Sequence, residues 1–359
     1  MDDVVRDTQP LDREDGAEAA GGSVSGRAPV GLAVRIVRSA LLLGPAAMIG
    51  AGWTLGEELW AASLLRELSA QLAMLSAAAA LVAVMTRRWF AAIVGAAAAG
   101  VVVAMLSAGR APSERERGED PGAPDGAAVV RVLQVNAFTS NPLDGEVERL
   151  ISDTRYDVVV LAESPPKLGR ALRAHGASAG LGVVASGPNP PYTQWIHAIS
   201  RWPIEPWRGG EMDGPGHAGA VVACPAGRIG VIAVHAASPW ARDRWRVENR
   251  TIEDAARMAT EMKGEGLPVM VVGDLNATAT STRTARLVRA GLLRAKPAWK
   301  PTGTYPAGLF WPLTIAIDDA AVSSAFDVRS WRTVECPGSD HSAVEIELVF
   351  SRPGGSAGD

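Results

Sequence analysis

Between residues 39 and 108 the chain carries almost no charge, and nothing else in the sequence restricts its folding as strongly. The stretch 39–55 is uncharged and follows Arg35 and Arg38. The stretch 68–86 has Gln71 as its most polar member and is followed by Arg87-Arg88, and 89–108 is uncharged throughout. Each approaches the ~20 residues that a bilayer-crossing helix requires. Helices on water-soluble proteins carry a polar stripe, and the second and third stretches have almost none. Three membrane spans are therefore expected within residues 29–108, rather than a buried Ala-rich hairpin. A signal peptide fits the first stretch poorly, because no small-residue cleavage motif ends it and two more stretches follow.

The flanking composition frames this region. Residues 1–28 are acidic, rich in Gly, Ala and Ser, and aperiodic, which predicts a disordered tail. Residues 109–128 form a charged Pro/Gly linker, and 351–359 a second short tail. With the N-terminus inside, Arg27, Arg35, Arg38, Arg87 and Arg88 lie on the cytoplasmic side. Three spans then place everything after residue 110 outside the cytoplasm and close to the bilayer.

After the linker the texture changes to short apolar strands alternating with amphipathic helices. Strands are predicted at 129–138, 157–163, 194–204, 218–223, 229–236, 268–276, 314–323 and 343–350, all rich in β-branched residues. Helices are predicted at 145–154, 240–263 and 281–290. This mixture predicts an α/β domain over 129–350 with two packed sheets. Its charge is balanced, with 23 Lys+Arg against 23 Asp+Glu, whereas non-specific nucleic-acid binders carry a net basic face. The one basic cluster, Arg242, Arg244, Arg246 and Arg250, reads as the solvated start of a helix rather than a phosphate clamp. Cys224 and Cys336 are too few for a disulfide framework, so buried free thiols are the expectation, with pairing left open.

Chemistry concentrates where strands stop. Strand ends at Asn136, Glu163, His235 and Asp274-Leu275-Asn276, with Asp318 after Ile315-Ala316-Ile317, are followed by Gly338-Ser339-Asp340-His341. Mg²⁺ prefers hard oxygen ligands and is commonly held by one or two carboxylates plus substrate phosphate. Glu163 and Asp340 are the candidate carboxylates, and Asn136 either adds an amide oxygen or orients Glu163. Alone, Glu163 before Pro165-Pro166 reads equally as a helix cap. His341 suits phosphoryl chemistry near neutral pH, with Asp318 chosen over Asp319 as its partner. Asp274 is placed to orient or deprotonate water, Asn276 to donate a hydrogen bond to developing charge, and His235 to act as acid or phosphate ligand. His197 is read as structural, and His175 and His217 as loop residues. Trp299, Phe310 and Trp311 flank a Pro/Gly-rich loop; covering the site, contacting lipid and packing on the core are the alternatives, with packing on the core the expectation for any one of them.

Taken together, Val132-Leu133-Gln134-Val135-Asn136, the run from Asp157 to Glu163, Ser200-Arg201-Trp202-Pro203, Val234-His235, Gly273-Asp274-Leu275-Asn276, Ile317-Asp318 and Gly338-Ser339-Asp340-His341 resemble the endonuclease/exonuclease/phosphatase superfamily. They run in its order and span residues 129–350. The resemblance implies a DNase I-like four-layer sandwich of two mixed β-sheets flanked by helices, here preceded by three transmembrane helices. It also implies Mg²⁺ (or Mn²⁺) near Asn136, Glu163 and Asp340, with Asp274, Asn276, His235, Asp318 and His341 catalytic. Ala162 stands where Gln is common before the metal Glu, and Asp319 where an aromatic or His often follows the Asp.

Spans followed by such a domain further resemble actinobacterial membrane proteins of the VanJ type, associated with teicoplanin-class glycopeptide resistance. That implies a multi-pass protein of the bacterial cytoplasmic membrane whose extracytoplasmic domain acts on an envelope lipid phosphate or lipid-linked pyrophosphate. The competing readings are a surface-anchored nuclease and a non-catalytic phospholipid-binding module.

Overall fold

The computed structural model describes residues 28–108 and 128–350, apart from 154, 176–179, 187–195, 208–215, 299 and 301. The expected tails and linker, Trp299 among the loop aromatics, and part of the 194–204 strand thus fall outside the described residues. The chain divides into two compact units, Met1–Leu41 and Leu42–Asp359. Among described residues the first is the N-terminal half of helix α1 (Ala28–Leu55). All that follows concerns the second.

Helices α2 (Trp60–Glu67), α3 (Ser69–Met85) and α4 (Trp89–Ser107) precede the sheets. Among the described residues, two helices are long and apolar enough to cross a membrane, α1 over Leu32–Leu55 and α4. The middle stretch departs from the expected straight span. Helix α3 has 17 residues, about 25 Å at ~1.5 Å per residue, and joins α2 at a 70° bend; only the bent pair together passes as a third. Helix α4 lies close on α3 at Gly95, where an added Cβ would sit 2.8 Å from the Ser76 carbonyl oxygen.

Among the described residues, the α/β body holds twelve strands in two six-stranded sheets. One runs β11-β12-β1-β2-β4-β3, from Phe326–Val334, Ala343–Phe350, Ala128–Asn136, Val158–Ala162, Ile196–Ser200 and Gly182–Ser186. The other runs β5-β6-β7-β8-β10-β9, from Ile204–Pro206, His217–Cys224, Gly227–His235, Val269–Asp274, Asp318–Ser323 and Leu292–Arg294. Both are mixed: β1–β2 and β7–β8 pair parallel, while β1–β12 and β8–β10 pair antiparallel.

Alternation along the strands builds the layers. Val130, Val132, Val231, Ala233, Met270, Val272, Ala320, Val322 and Ile346 face one another between the sheets. The opposite parity of the first sheet, Leu133, Val135 and Leu161, is covered by α5 (Asp144–Ile151) and α6 (Pro166–His175) through Val147, Ile151, Leu168 and Leu172. The opposite parity of the second, Ile232, Val234 and Val271, is covered by α7 (Arg242–Gly264) through Ile252, Ala255, Ala259 and Met262. The result is the expected four layers, with one more helix, α8 (Thr282–Arg289), after β8.

Several local expectations are corrected. The 314–323 strand begins only at Asp318, because Ile315 pairs with Tyr305 in an isolated bridge and Thr304 Oγ1 accepts the Ile317 and Asp318 amides. His217 is buried at the start of β6, not in a loop. Phe310 and Trp311 do not pack on the core; they are 70% and 44% exposed. Cys224 and Cys336 are buried and free, and burial pushes the Cys336 thiol up to about 12.

Candidate active site

The inward-facing rows do not stay apolar to their ends. Val130 and Val132 are followed at the same parity by Gln134 and Asn136, Val231 and Ala233 by His235, and Met270 and Val272 by Asp274. Register aligns these ends, with His235 opposite Asp274 and Asp274 opposite Asp318. The interior between the sheets therefore finishes in a polar cluster. At Gly273 the φ is +153°, and an added Cβ would meet the Val234 carbonyl oxygen at 1.8 Å, so glycine permits the approach of β8 to β7 beside the site.

Hydrogen bonds tie the cluster across both sheets. Asn136 Nδ2 donates to Asp274 Oδ2 at 2.9 Å and to Glu163 Oε1 at 3.3 Å. Gln134 Nε2 donates to Asp318 Oδ1 at 2.7 Å, and Asp318 Oδ2 stands 2.8 Å from His341 Nδ1. His235 Nε2 lies 3.4 Å from Glu163 Oε1 and 4.0 Å from Asp274 Oδ2. Asp274 Oδ1 accepts the Asn276 amide, and Asn276 Nδ2 donates to the Ala236 carbonyl at 2.8 Å. Glu163 and Asn276 both hold positive φ, +50° and +45°, a costly backbone choice that clusters at working sites.

Of the eight candidate residues, seven take part in these contacts, and Asp340 lines a cavity together with five of them, Glu163, His235, Asp274, Asn276 and His341. Asn136 accepts the Phe138 amide on its amide oxygen and donates from Nδ2 to two carboxylates. Asp318, not Asp319, meets His341; Asp319 pairs with Arg294 at 2.6 Å and accepts the Trp331 indole at 3.0 Å. The Ser339 hydroxyl donates to the Asn136 carbonyl and accepts the His341 amide, which locks the Ser-Asp-His turn onto the end of β1.

Burial and charge set the protonation pattern. Burial disfavours the charged form of Glu163, yet the hydrogen bond and charge of His235, with Asn136, hold its carboxyl down at about 2. Burial and the neighbouring Asp318 charge raise Asp274 to about 6, with His341 and His235 opposing. For His341 burial lowers the value, but the Asp318 charge and hydrogen bond win and raise it to about 10. His235 follows the same pattern: burial opposes and Glu163 prevails, giving a raised value. An ionised carboxylate, a weakly basic carboxylate and two imidazoles thus share one site.

Among described residues, Asp274, Asp318 and His341 form a group whose donor atoms lie within 4.8 Å. Within that group Asp318 is engaged by both Gln134 and His341. Glu163, whose side chain is one-fifth exposed, and Asp340, which lines the same cavity, are the further carboxylates that could offer hard oxygen to a divalent cation. That donor set fits Mg²⁺ chemistry.

The cavity measures about 220 Å³. Its lining includes residues that the sequence did not single out for the site. Tyr305 stacks at 4.9 Å, ring centre to ring centre, on His341. Arg244, from the basic cluster read as solvated, also lines it. Leu64, Glu67 and Leu68, at the bend between α2 and α3, form one wall. Gln134 carried a signal, being a polar residue at core parity two positions before Asn136. The α2 residues carried none, because only tertiary packing brings them to the site.

That packing is specific. Trp60 Nε1 donates to the Pro239 carbonyl at 2.6 Å, four residues beyond His235. Glu67 Oε2 accepts the Thr278 amide at 2.7 Å, and its Oε1 meets Arg283 Nη2 at 2.5 Å. Arg66 and Thr280 exchange two hydrogen bonds, at 2.8 and 2.6 Å. The loops leaving β7 and β8 are thereby held from the α2 side.

Solved structures similar to this chain include an endonuclease/exonuclease/phosphatase from Beutenbergia cavernae, 19% identical over 62% of this chain and 72% of that one, with TM-score 0.46. A Neisseria 3′ phosphatase bound to a product DNA hairpin is 17% identical over 61% and 99%, with TM-score 0.47. A mannosyl-6-phosphatase from Bacteroides thetaiotaomicron is 16% identical over 62% and 100%, with TM-score 0.46. No curated protein matches the chain significantly. The model of the endonuclease/exonuclease/phosphatase family matches residues 133–341, more than half of the sequence and the whole run from β1 to His341, so the chain belongs to that family.

Proposed function

We propose that the protein is a membrane-tethered, Mg²⁺-dependent phosphoesterase that hydrolyses a phosphate ester or pyrophosphate of an envelope lipid or lipid-linked substrate. One observation carries the lipid part of this reading. The cavity that holds Glu163, His235, Asp274, Asn276, Asp340 and His341 is walled by Leu64 and Leu68 at the bend of the candidate broken span, with Pro239 and Trp240 also lining it. A phosphate seated among the polar strand ends leaves its apolar portion against those side chains. The balanced charge of the domain supports the same reading over the nuclease one.

Bound through Glu163 and Asp340, Mg²⁺ would neutralise phosphoryl oxygens and polarise the phosphorus for attack; Mn²⁺ suits the same donors. The chain's own groups do the rest. Asp274, ionised at neutral pH yet raised to about 6, orients the attacking water and takes its proton. His341 has Nδ1 committed to Asp318, so its Nε2 is the edge that hydrogen-bonds a phosphoryl oxygen. His235, with a raised value, is placed to protonate the leaving oxygen. One N–H of Asn276 ties to Ala236, which leaves the other for developing charge.

The test is phosphate release by the full-length chain from lipid phosphates, lipid pyrophosphates, inositol phosphates and DNA, with Mg²⁺ and with chelator. Metal-dependent release from the lipid substrates, lost in Glu163→Ala and His341→Ala, is expected. Preference for DNA would overturn the lipid assignment, and release unaffected by both substitutions would overturn the site.

A further inference from the structure

A second cavity of about 140 Å³ lies apart from the catalytic residues, where α3 begins and α4 ends. Arg294, Lys296 and Lys300 line one side; Ala70, Gln71 and Leu106 line the other. Cations thus face the terminal turns of two apolar helices.

Among the described residues that line this cavity, Glu67 is the one carboxylate against three cations. Asp319 is the carboxylate that meets Arg294, at 2.6 Å, and it also receives the Trp331 indole. The same Asp319 is the acid acting on Lys296, whose other charged neighbours are Arg294 and Lys300. Glu67 lines the cavity too, but its two oxygens are taken by Arg283 and the Thr278 amide. Burial, reinforced by Arg294, lowers the Lys296 ammonium to about 8, as expected of a half-buried cation lacking sufficient counter-charge.

The rim is apolar and exposed. Leu309, Phe310, Trp311 and Leu313 project from the loop before β10, and Trp311 reaches the cavity. Gln71 fixes this loop to the first turn of α3, donating to the carbonyls of Pro312 at 3.3 Å and Thr314 at 3.1 Å. Large apolar side chains exposed together, contiguous with apolar helix ends, suit a lipid surface better than water.

We propose that this cavity binds the headgroup of an anionic phospholipid, with Arg294, Lys296 and Lys300 around the phosphate and the acyl chains descending along α3, α4 and the 309–313 loop. The site rests on the membrane reading of the helices and is independent of catalysis. It would seat the α/β body at a fixed height on an anionic bilayer.

The test uses full-length protein in detergent with added phosphatidylglycerol or phosphatidylcholine, with bound lipid counted by native mass spectrometry and folding checked by thermal melting. Phosphatidylglycerol is expected to bind at least about tenfold more tightly. Lys296→Gln and Lys300→Gln should each weaken it roughly fivefold while leaving phosphatidylcholine unaffected. Should Lys296→Gln not fold, Lys300→Gln alone decides. Equal binding of the two lipids, or an unchanged preference in the folded variants, would overturn the proposal. Displacement of phosphatidylglycerol by millimolar inorganic phosphate would assign the cavity to a free anion instead.

Discussion

Asp318 Oδ2 stands 2.8 Å from His341 Nδ1, while Oδ1 of the same carboxylate receives Gln134 from the opposite sheet. Asp318 begins β10 and Gln134 lies in β1, so one buried carboxylate joins the two sheets and fixes the imidazole between them. Asp318→Asn keeps the shape but removes the charge. It should lower kcat by about 10²-fold or more with KM little changed, and return the His341 titration, read by NMR, toward the ordinary histidine range. Full activity in this variant would remove His341 from the proposed chemistry.

The pH profile follows from three groups. Asp274 must be ionised to accept a proton, so activity should fall below about pH 6; His235 and His341 must both be protonated, so it should fall again as pH rises through whichever of their two raised values is the lower. Because the folded His341 value lies above the ordinary 6.5, its pairing stabilises the fold fully below pH 6.5, and that contribution is lost as pH rises through about 10. Thermal melts from pH 6 to 11 should show this loss in the parent and not in Asp318→Asn.

Glu163→Gln removes the ionised oxygen proposed for the metal and leaves a side chain of nearly the same size. The Mg²⁺ concentration giving half-maximal activity should rise at least about tenfold. An unchanged Mg²⁺ dependence would mean that the metal lies elsewhere, with the Asp274, Asp318 and His341 group the next to examine.

Glu67 ties α2 to both Thr278 and the fully buried Arg283, which Glu248 also meets at 2.8 Å. Glu67→Gln should cost about 1–3 kcal/mol of stability by weakening a charge-assisted contact to a buried cation. Thermal melting of the full chain checks this, and no shift at all would mean that α2 rests loosely on the α/β body.

The positions of Glu163, His235 and Asp274 were legible because each ends an apolar strand, with His235 and Asp274 at the parity that faces the other sheet; His341 was legible from the Gly338-Ser339-Asp340-His341 run before β12. The α2 contribution was not. Arg66-Glu67 interrupts the apolar stretch and resembles an interhelical turn, and only the 70° bend brings Leu64 and Leu68 to the cavity. Strand β11 escaped detection because Phe326–Val334 is an edge strand with mixed burial and a bulge between Val328 and Ser330. Arg244 was discounted as one of four surface arginines, since nothing local marks which member of a helical cluster turns inward.

The most direct test of the account compares kcat/KM for a long-chain lipid monophosphate with that for its short-chain, water-soluble analogue, using full-length protein in nanodiscs. Burial of two or three methylenes against Leu64 and Leu68, at ~0.8 kcal/mol each, predicts a preference of roughly tenfold or more for the long chain. Leu64→Ala/Leu68→Ala should shrink that preference through KM, with turnover of the short analogue unchanged. Equal kcat/KM for the two substrates would contradict a site shared between the strand ends and the helix bend.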